Sequence, residues 1–339
     1  MWELSWVGVP VTIGGMLLLL SARDPGDAWP EQLLRARIIR LAPLSRSAME
    51  QLIGRWAAPT ALPRETVRAL GDRAQGHPYF ARELVRALRR SGSEGLAAEA
   101  SLPNTLQELF LAQLDSLPRV VRHLVQSASV VGEPLSASLL QAAMAEEAHL
   151  AFSALTEAVG QGLLRAGPAQ GQFSYARRLL LEAAYTTIPP SRRRELHARI
   201  AAHLEDRLAT MGETAVHAVA YHAYLGYRDV RAVAMLLRSA KRYRDQCASR
   251  LAVRDATRAV ELISSLPDPD AHLEERLEAL WVISQAYQVV GDLEHAEGTL
   301  AEAELLAGKC PNSMPAAHLA MAAATLHHMR GRIPLAAEA

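Results

Sequence analysis

Tyr287-Gln288-Val289-Val290-Gly291-Asp292-Leu293-Glu294-His295-Ala296 decides how most of this chain reads. A helical run meets Gly291, which makes a turn, and helical periodicity resumes at once. Ala296 and, about two helical turns further along, Ala303 are small enough to let neighbouring helices approach closely. Similar units are discernible at Tyr221–Tyr243, with a turn expected at Gly226, and at Leu251–Leu266. A last unit begins near His318, turns at Gly331 and stops at Ala339. The spacing is irregular, so these are degenerate helical repeats, and from Pro190 onward the pattern is almost wholly helical.

Upstream the pattern changes. Leu163-Leu164-Arg165, a Gly/Pro/Gln turn and Gln172-Phe173-Ser174-Tyr175 read as a small hairpin. Helices are expected before it at Arg119–Ser129, Ser136–Ala145 and Ala148–Gln161, and after it from Arg178. Pro103-Asn104-Thr105 opens another, with Leu106, Leu109, Phe110 and Leu114 on one side. Helices followed by a hairpin are the outline of a winged helix. Earlier still, Ser45 is placed to cap a helix through about Arg55, Pro63-Arg64-Glu65 opens a second, and a third runs from Tyr79 through Arg90. Ser91-Gly92-Ser93-Glu94-Gly95 reads as a linker.

The 339 residues are half hydrophobic and 21% charged, which predicts a folded, core-bearing protein of two or three domains. Aromatics are only 5%, favouring packed helices over sheets. Basic and acidic residues balance at 36 each, so no global field marks nucleic acid or membrane as partner. Cys247 and Cys310 have no metal or redox spacing, which fits a reducing compartment.

Val7–Leu20 is uncharged, yet Pro10, Gly14 and Gly15 interrupt it and Glu3 precedes it where an export signal carries basic residues. It is also shorter than the ~20 residues a membrane span needs. Met16–Ser21 therefore reads as a buried strand, central and parallel, and the protein as cytoplasmic. Ile38-Ile39-Arg40-Leu41 forms a second short apolar piece.

Nowhere does the chain contain a G-x-x-x-x-G-K-[ST] loop to cradle phosphates, nor an apolar strand ending in paired acids to hold magnesium. Its two lysines, Lys241 and Lys309, follow no glycine-rich turn. Even so, four stretches resemble the STAND class of signalling ATPases, in particular the regulators fused to LuxR-type DNA-binding, nucleotide-cyclase or protein-kinase domains. Leu17–Arg23 is similar to the sensor-1 strand, and Ile39–Leu44 to the segment after it. Gly76-His77-Pro78-Tyr79-Phe80-Ala81-Arg82-Glu83-Leu84 resembles the lid motif of glycine, any residue, proline, an apolar pair, then Glu-Leu. Leu102–Thr105 with Leu111–Pro118 looks like the entry to the winged helix. Phe173–Tyr185 and Arg192-Arg193-Arg194-Glu195-Leu196-His197 resemble the junction into tetratricopeptide-like repeats.

The resemblance implies a mainly α chain of four parts: an α/β ATPase remnant over 1–42, a helical lid over 43–98, a winged-helix-like domain over 99–205, and tetratricopeptide-like repeats over 206–339. It implies ATP or ADP as ligand, with Arg23 near the terminal phosphate and Pro78 against the base. Arg177 stands where related members carry a histidine that couples the winged helix to the diphosphate. Pro78 is equally explained as a helix boundary, Arg23 as a surface partner of Asp24 or Asp27, and Arg177 and Arg178 as charges on a solvated face. Phosphoryl transfer relies on parts this chain lacks, so no ATPase activity of its own is expected. A fragment, a mis-started frame and a degenerate paralogue all fit that absence; the start beside the expected strand and the stop within a repeat favour a fragment. The function expected is the regulatory or scaffold portion of such an ATPase, its repeats binding a protein or small-molecule effector. The alternatives are a stand-alone interaction module and a winged-helix DNA-binding regulator.

Other chemistry finds little support. Of the twelve histidines, His327 and His328 are adjacent and His217 and His222 are five apart, both poor spacings for one metal on one helix face. Ser21, Ser45 and Ser174 lack a nucleophile-elbow context. Arg192-Arg193-Arg194 with His197 and Arg199 is the strongest basic cluster and the one place where nucleic-acid phosphate could bind, although Glu195, Glu205 and Asp206 interleave.

Overall fold

A computed structural model describes residues 5–7, 19–21, 39, 41–59, 61–91, 103–133, 135–212, 215–310 and 313–331, and these are mainly helical. The chain divides into two compact units, Met1–Arg82 and Glu83–Ala339.

In the first unit, strands β1 (Ser5–Val7) and β2 (Leu19–Ser21) pair antiparallel, Trp6 opposite Leu20. The expected parallel pairing of this run is therefore not what its described part adopts. Only residues 8–18 separate the strands, which suits an antiparallel return, whereas a parallel pair needs a crossover of about a dozen residues or more. Ile39 and Leu41, expected in a short apolar piece, are 70% and 93% exposed. Helices α1 (Arg46–Ala57) and α2 (Arg64–Ala74) follow, the first capped by Ser45, whose hydroxyl accepts the Ala48 N–H. Met49 and Ile53 of α1 and Leu70 and Ala74 of α2 are buried, with Gly71 facing the Met49 and Ile53 side chains. Helix α3 (Pro78–Ser91) begins in this unit and continues into the next.

The second unit continues with α4 (Leu106–Asp115) and α5 (Arg119–Val131), then strand β3 (Leu135–Ser136) and α6 (Ala137–Met144). A 3-10 segment over Ala145–Leu150 replaces the first turn expected of the next helix, and α7 runs over Ala151–Gly160. Strands β4 (Leu164–Ala166) and β5 (Gln172–Tyr175) form the expected hairpin. The addition is β3, which pairs with the free edge of β5 to give an antiparallel sheet of order β3-β5-β4. Thr105 caps α4 by accepting the Glu108 N–H, while the Glu108 carboxylate reaches back to the Asn104 N–H. Leu109, Phe110 and Leu114 are buried as their spacing demands, each worth about 2 kcal/mol of transfer free energy.

From α8 (Arg178–Thr186) onward the described residues form helices and the turns between them: α9 (Pro190–Asp206), the short α10 (Leu208–Met211), α11 (Val216–Gly226), α12 (Val230–Asp245), α13 (Ser249–Ser264), α14 (Leu273–Val290), α15 (Leu293–Ala307) and α16 (Met314–Met329). Successive helices from α11 to α16 pack on one another, and α14 also meets α12 and α16. Their core is rich in alanine: Ala220, Ala223, Ala232, Ala240, Ala252, Ala256, Ala259, Ala279 and Ala286 are all buried, so backbones approach closely. Gly291 ends α14 with φ +78°, and the Asp292 carboxylate accepts the His295 N–H to start α15. Ala296 and Ala303 are fully buried at the next interface.

Gly226 serves a different purpose from the one its position suggests. It ends α11 within the helix, and the left-handed residue of that turn is Arg228, with φ +53°. A Cβ on Gly226 would lie 2.4 Å from the Ala198 nitrogen. Gly226 is there to let α11 touch the backbone of α9.

Candidate functional site

Of the three residues implied to touch a nucleotide, Arg23 lies outside the described residues. Pro78 is the first residue of α3 and exposed; His77, whose carbonyl accepts the Ala81 N–H, stands at the cap. Before it, Gly76 has φ +77°, and a Cβ there would meet Pro43 at 2.6 Å. The helix-boundary reading of Pro78 accounts for these residues fully.

Arg177 is not on a solvated face. Its side chain is 8% exposed, and Nη1 donates to Oε2 of Glu83 at 2.6 Å, a carboxylate with no exposure at all. Gln113 Oε1 lies 3.5 Å from the same nitrogen, and the guanidinium sits 5.8 Å from the Phe110 ring centre. Arg86 holds the other oxygen of Glu83 at 2.7 Å. One buried carboxylate thus bridges two arginines, joining α3 to the segment between β5 and α8. Arg178, the neighbour with the same chemistry, is 72% exposed and pairs with Glu182.

The Arg177 side of this cluster opens on a cleft of about 390 Å³ lined by Arg86, Arg89, Arg165, Arg177, Ala176 and the turn Gly160-Gln161-Gly162. That volume is within the range of small-molecule sites. Four guanidinium groups line it, and the acid bonded among them is Glu83. Arg165 stands on β4, opposite Ser174 of β5, so the hairpin register aims it. A cleft so charged favours a multivalent anion, which arginine forks bind by paired hydrogen bonds.

A second cleft, of about 310 Å³, lies between one face of α5 (Arg119, Arg122, His123 and Gln126), Met144, Glu147, and Arg192 and Arg199 of α9. Its groups are largely satisfied by one another. His123 Nδ1 donates to Glu147 at 2.5 Å, Arg119 holds the other carboxylate oxygen at 3.1 Å, and Arg192 donates to His123 Nε2 at 3.2 Å. The hydrogen bond from His123 lowers the pKa of Glu147. Arg192 and Arg199 also pair with Glu195, and Arg193 lies over the Tyr185 ring at 4.9 Å. Arg192, Arg193 and Arg199 are therefore engaged within the chain, while Arg194 is exposed.

Two buried networks went unforeseen. Tyr185 O–H meets His197 Nε2 at 3.4 Å, His197 Nδ1 meets His222 Nδ1 at 2.9 Å, and His222 hydrogen-bonds the Val131 backbone. Burial holds His197 down to about 4 and His222 to about 3, so both are neutral and in complementary tautomers. Further along, His217 Nδ1 lies 2.8 Å from Ser239 Oγ, which donates to Asp255 at 2.6 Å. With serine in the middle and no exposure, this chain of groups ties α11, α12 and α13 together and is no nucleophile relay. The sequence signal for it is plain afterwards: Ser239 and Asp255 occupy core positions among Leu236, Ala240, Ala252 and Ala259. His217 and His222, considered as a metal pair, go to these separate networks.

No protein-family model, curated protein or solved structure matches this chain.

Proposed function

We propose that the chain is the regulatory or scaffold portion of a STAND-type signalling ATPase, without ATPase activity of its own. Its helical repeats bind a protein or small-molecule effector, and the three-stranded domain relays that event to a nucleotide. The observation that carries this reading is the Arg177–Glu83 pair. Glu83 is the glutamate of the lid-like Glu-Leu motif, and Arg177 is the position where the resembling family places its nucleotide-coupling residue. The glutamate of the lid-like motif and the position of the coupling residue meet in a largely buried ion pair, beside a cleft rich in arginine. The terminal phosphates of ADP or ATP are the anions this reading assigns to the cleft, held by Arg89, Arg165 and Arg177. Stacked repeats suit effector binding because each buries its face only on its neighbours and leaves an extended surface.

Calorimetry with ADP and ATP, with and without magnesium, tests the nucleotide part. Micromolar binding that falls at least tenfold in Arg165→Ala is the expected result. No heat at millimolar nucleotide overturns it, and leaves the repeats as a stand-alone interaction module.

A further inference from the structure

Helix α11 turns His217, Tyr221 and Tyr224 to one side, and α13 does the same with Arg250, Arg254 and Arg258, at helical spacings that share a face. The two stripes meet. The Arg258 guanidinium lies 5.0 Å from the Tyr224 ring centre, and that of Arg254 lies 5.9 Å from the ring of Tyr243, on which His217 is stacked at 3.6 Å. Burial raises the pKa of the Tyr221 hydroxyl, and the charges of Arg258 and Arg254 oppose that rise in part.

The arginines are held in place from beneath. Asp255 is 2% exposed, takes Arg254 Nε at 2.8 Å and lies 3.8 Å from Arg258 Nη1, while Ser239 fixes its other oxygen. Ordering a long cationic side chain costs entropy on binding, and here part of that ordering is done beforehand. Tyr221 remains 43% exposed and Arg250 is exposed.

The charge balance selects the occupant. Helix α11 carries no acidic residue; α13 carries buried Asp255 and Glu261 at the end of its stripe; Arg242 of α12 faces His217. Arg242, Arg250, Arg254 and Arg258 outnumber those two acids. Nucleic acid fits less well, because single strands need open aromatic faces for stacking. Tyr224 lies under Arg258, and Tyr243 is covered by His217. Tyr221 stays 43% exposed, and guanidinium groups match carboxylates through paired hydrogen bonds.

The geometry points to the α11–α13 face as the docking surface for an acidic peptide segment of a protein partner, with Arg254 and Arg258 gripping its carboxylates and Tyr221 packing against its stems. This rests on the reading of the repeats as the effector-binding part.

Fluorescence anisotropy of the full chain with a labelled glutamate–alanine dodecapeptide tests it, with a lysine–alanine dodecapeptide and a dT12 oligonucleotide as comparisons. Expected are binding of the acidic peptide alone, loss with added salt, and a tenfold or greater weakening in Arg254→Gln/Arg258→Gln. Arg250→Gln, at an exposed position where folding is not at stake, should weaken binding about threefold, and so should Tyr221→Ala, whose ring also packs on His197 and His222, once circular dichroism shows that the variant is folded. Tighter binding of dT12 than of peptide, or peptide affinity unchanged in Arg250→Gln and Tyr221→Ala, overturns the assignment. ADP binding measured on the same samples separates this failure from a failure of the nucleotide-linked reading.

Discussion

Acid should loosen this protein near pH 6, and the His197–His222 pair sets the size of the effect. Folded His197 titrates at about 4 and His222 at about 3, against an ordinary 6.5. Above pH 6.5 both states are neutral at these sites and the pair's contribution is fully present. As pH falls below 6.5 the unfolded chain takes up protons that the folded chain refuses, so stability falls until the folded values are reached. From pH 7 to pH 5 each histidine costs about 2 kcal/mol, or ~4 kcal/mol together, a large part of a typical domain's stability. Urea unfolding followed by helical circular dichroism at pH 7, 6 and 5 measures it. The control is His197→Asn/His222→Asn, whose amides replace the Nδ1 contact without titrating. Glu205, raised by burial, shifts stability the other way, and His203 and His217, lowered by burial, shift it the same way; all three are common to both proteins and cancel. The variant should lose ~4 kcal/mol less than the wild type over this range. Equal losses in the two proteins refute the neutral, buried assignment.

Glu83→Gln should destabilise by about 3–5 kcal/mol, since it removes the charge of one member of a buried ion pair, while Glu83→Leu/Arg177→Met should cost less than the two single changes together; a double-mutant cycle in urea decides. Gly226→Ala should cost about 3 kcal/mol or more, because its Cβ would drive α11 off the Ala198 backbone, and a lowered urea midpoint reports it. Gly298→Ala is its control: inside α15 with nothing near the added methyl, it should raise stability by about 0.5–1 kcal/mol. Gly291→Ala, at φ +78° in open space, should lose about 1 kcal/mol from backbone strain alone, seen as a lower melting temperature.

What the sequence made legible is what local chemistry fixes. Ser45 can be read as a cap because the cap's partner lies three residues away. The hairpin is legible because strands β4 and β5 are bounded by turn residues, and Ala296 and Ala303 because close helix packing demands small residues. The failures are all long-range. Strand β3 is two residues long, too short for any periodicity, and exists only because the β5 edge is there to pair with it. Arg177 and Arg178 are adjacent and chemically identical; only the fold brings Glu83, 94 residues earlier, to the first of them. Gly226 has the sequence look of a turn glycine, and nothing local reveals the backbone of α9 against it. Arg165 belongs to the cleft through sheet register, which alternation alone leaves open to a shift of one residue.

Helix α9 shows how the helices from α11 onward and the domain of the three-stranded sheet are held to one another. Leu196, Ile200 and Leu204 form one apolar cluster with Val130 of α5, Ala143 of α6 and Val219 of α11. Arg192 reaches His123 of α5, His197 joins Tyr185 of α8 to His222 of α11, and the Ala198 backbone meets Gly226. Apolar side chains alone would let α9 slide, because dispersion contacts are non-directional and several packings differ by little. Hydrogen bonds between buried groups do not tolerate such sliding, since each one broken leaves an unsatisfied polar atom worth about 1–3 kcal/mol. A displacement of α11 therefore meets a steep penalty at His222 and His197 and no soft side chain at Gly226. It is carried into α9, and through Arg192 into α5, instead of being absorbed where it arises. The polar groups buried around α9 weaken the fold in acid, and the same groups make the junction stiff at neutral pH.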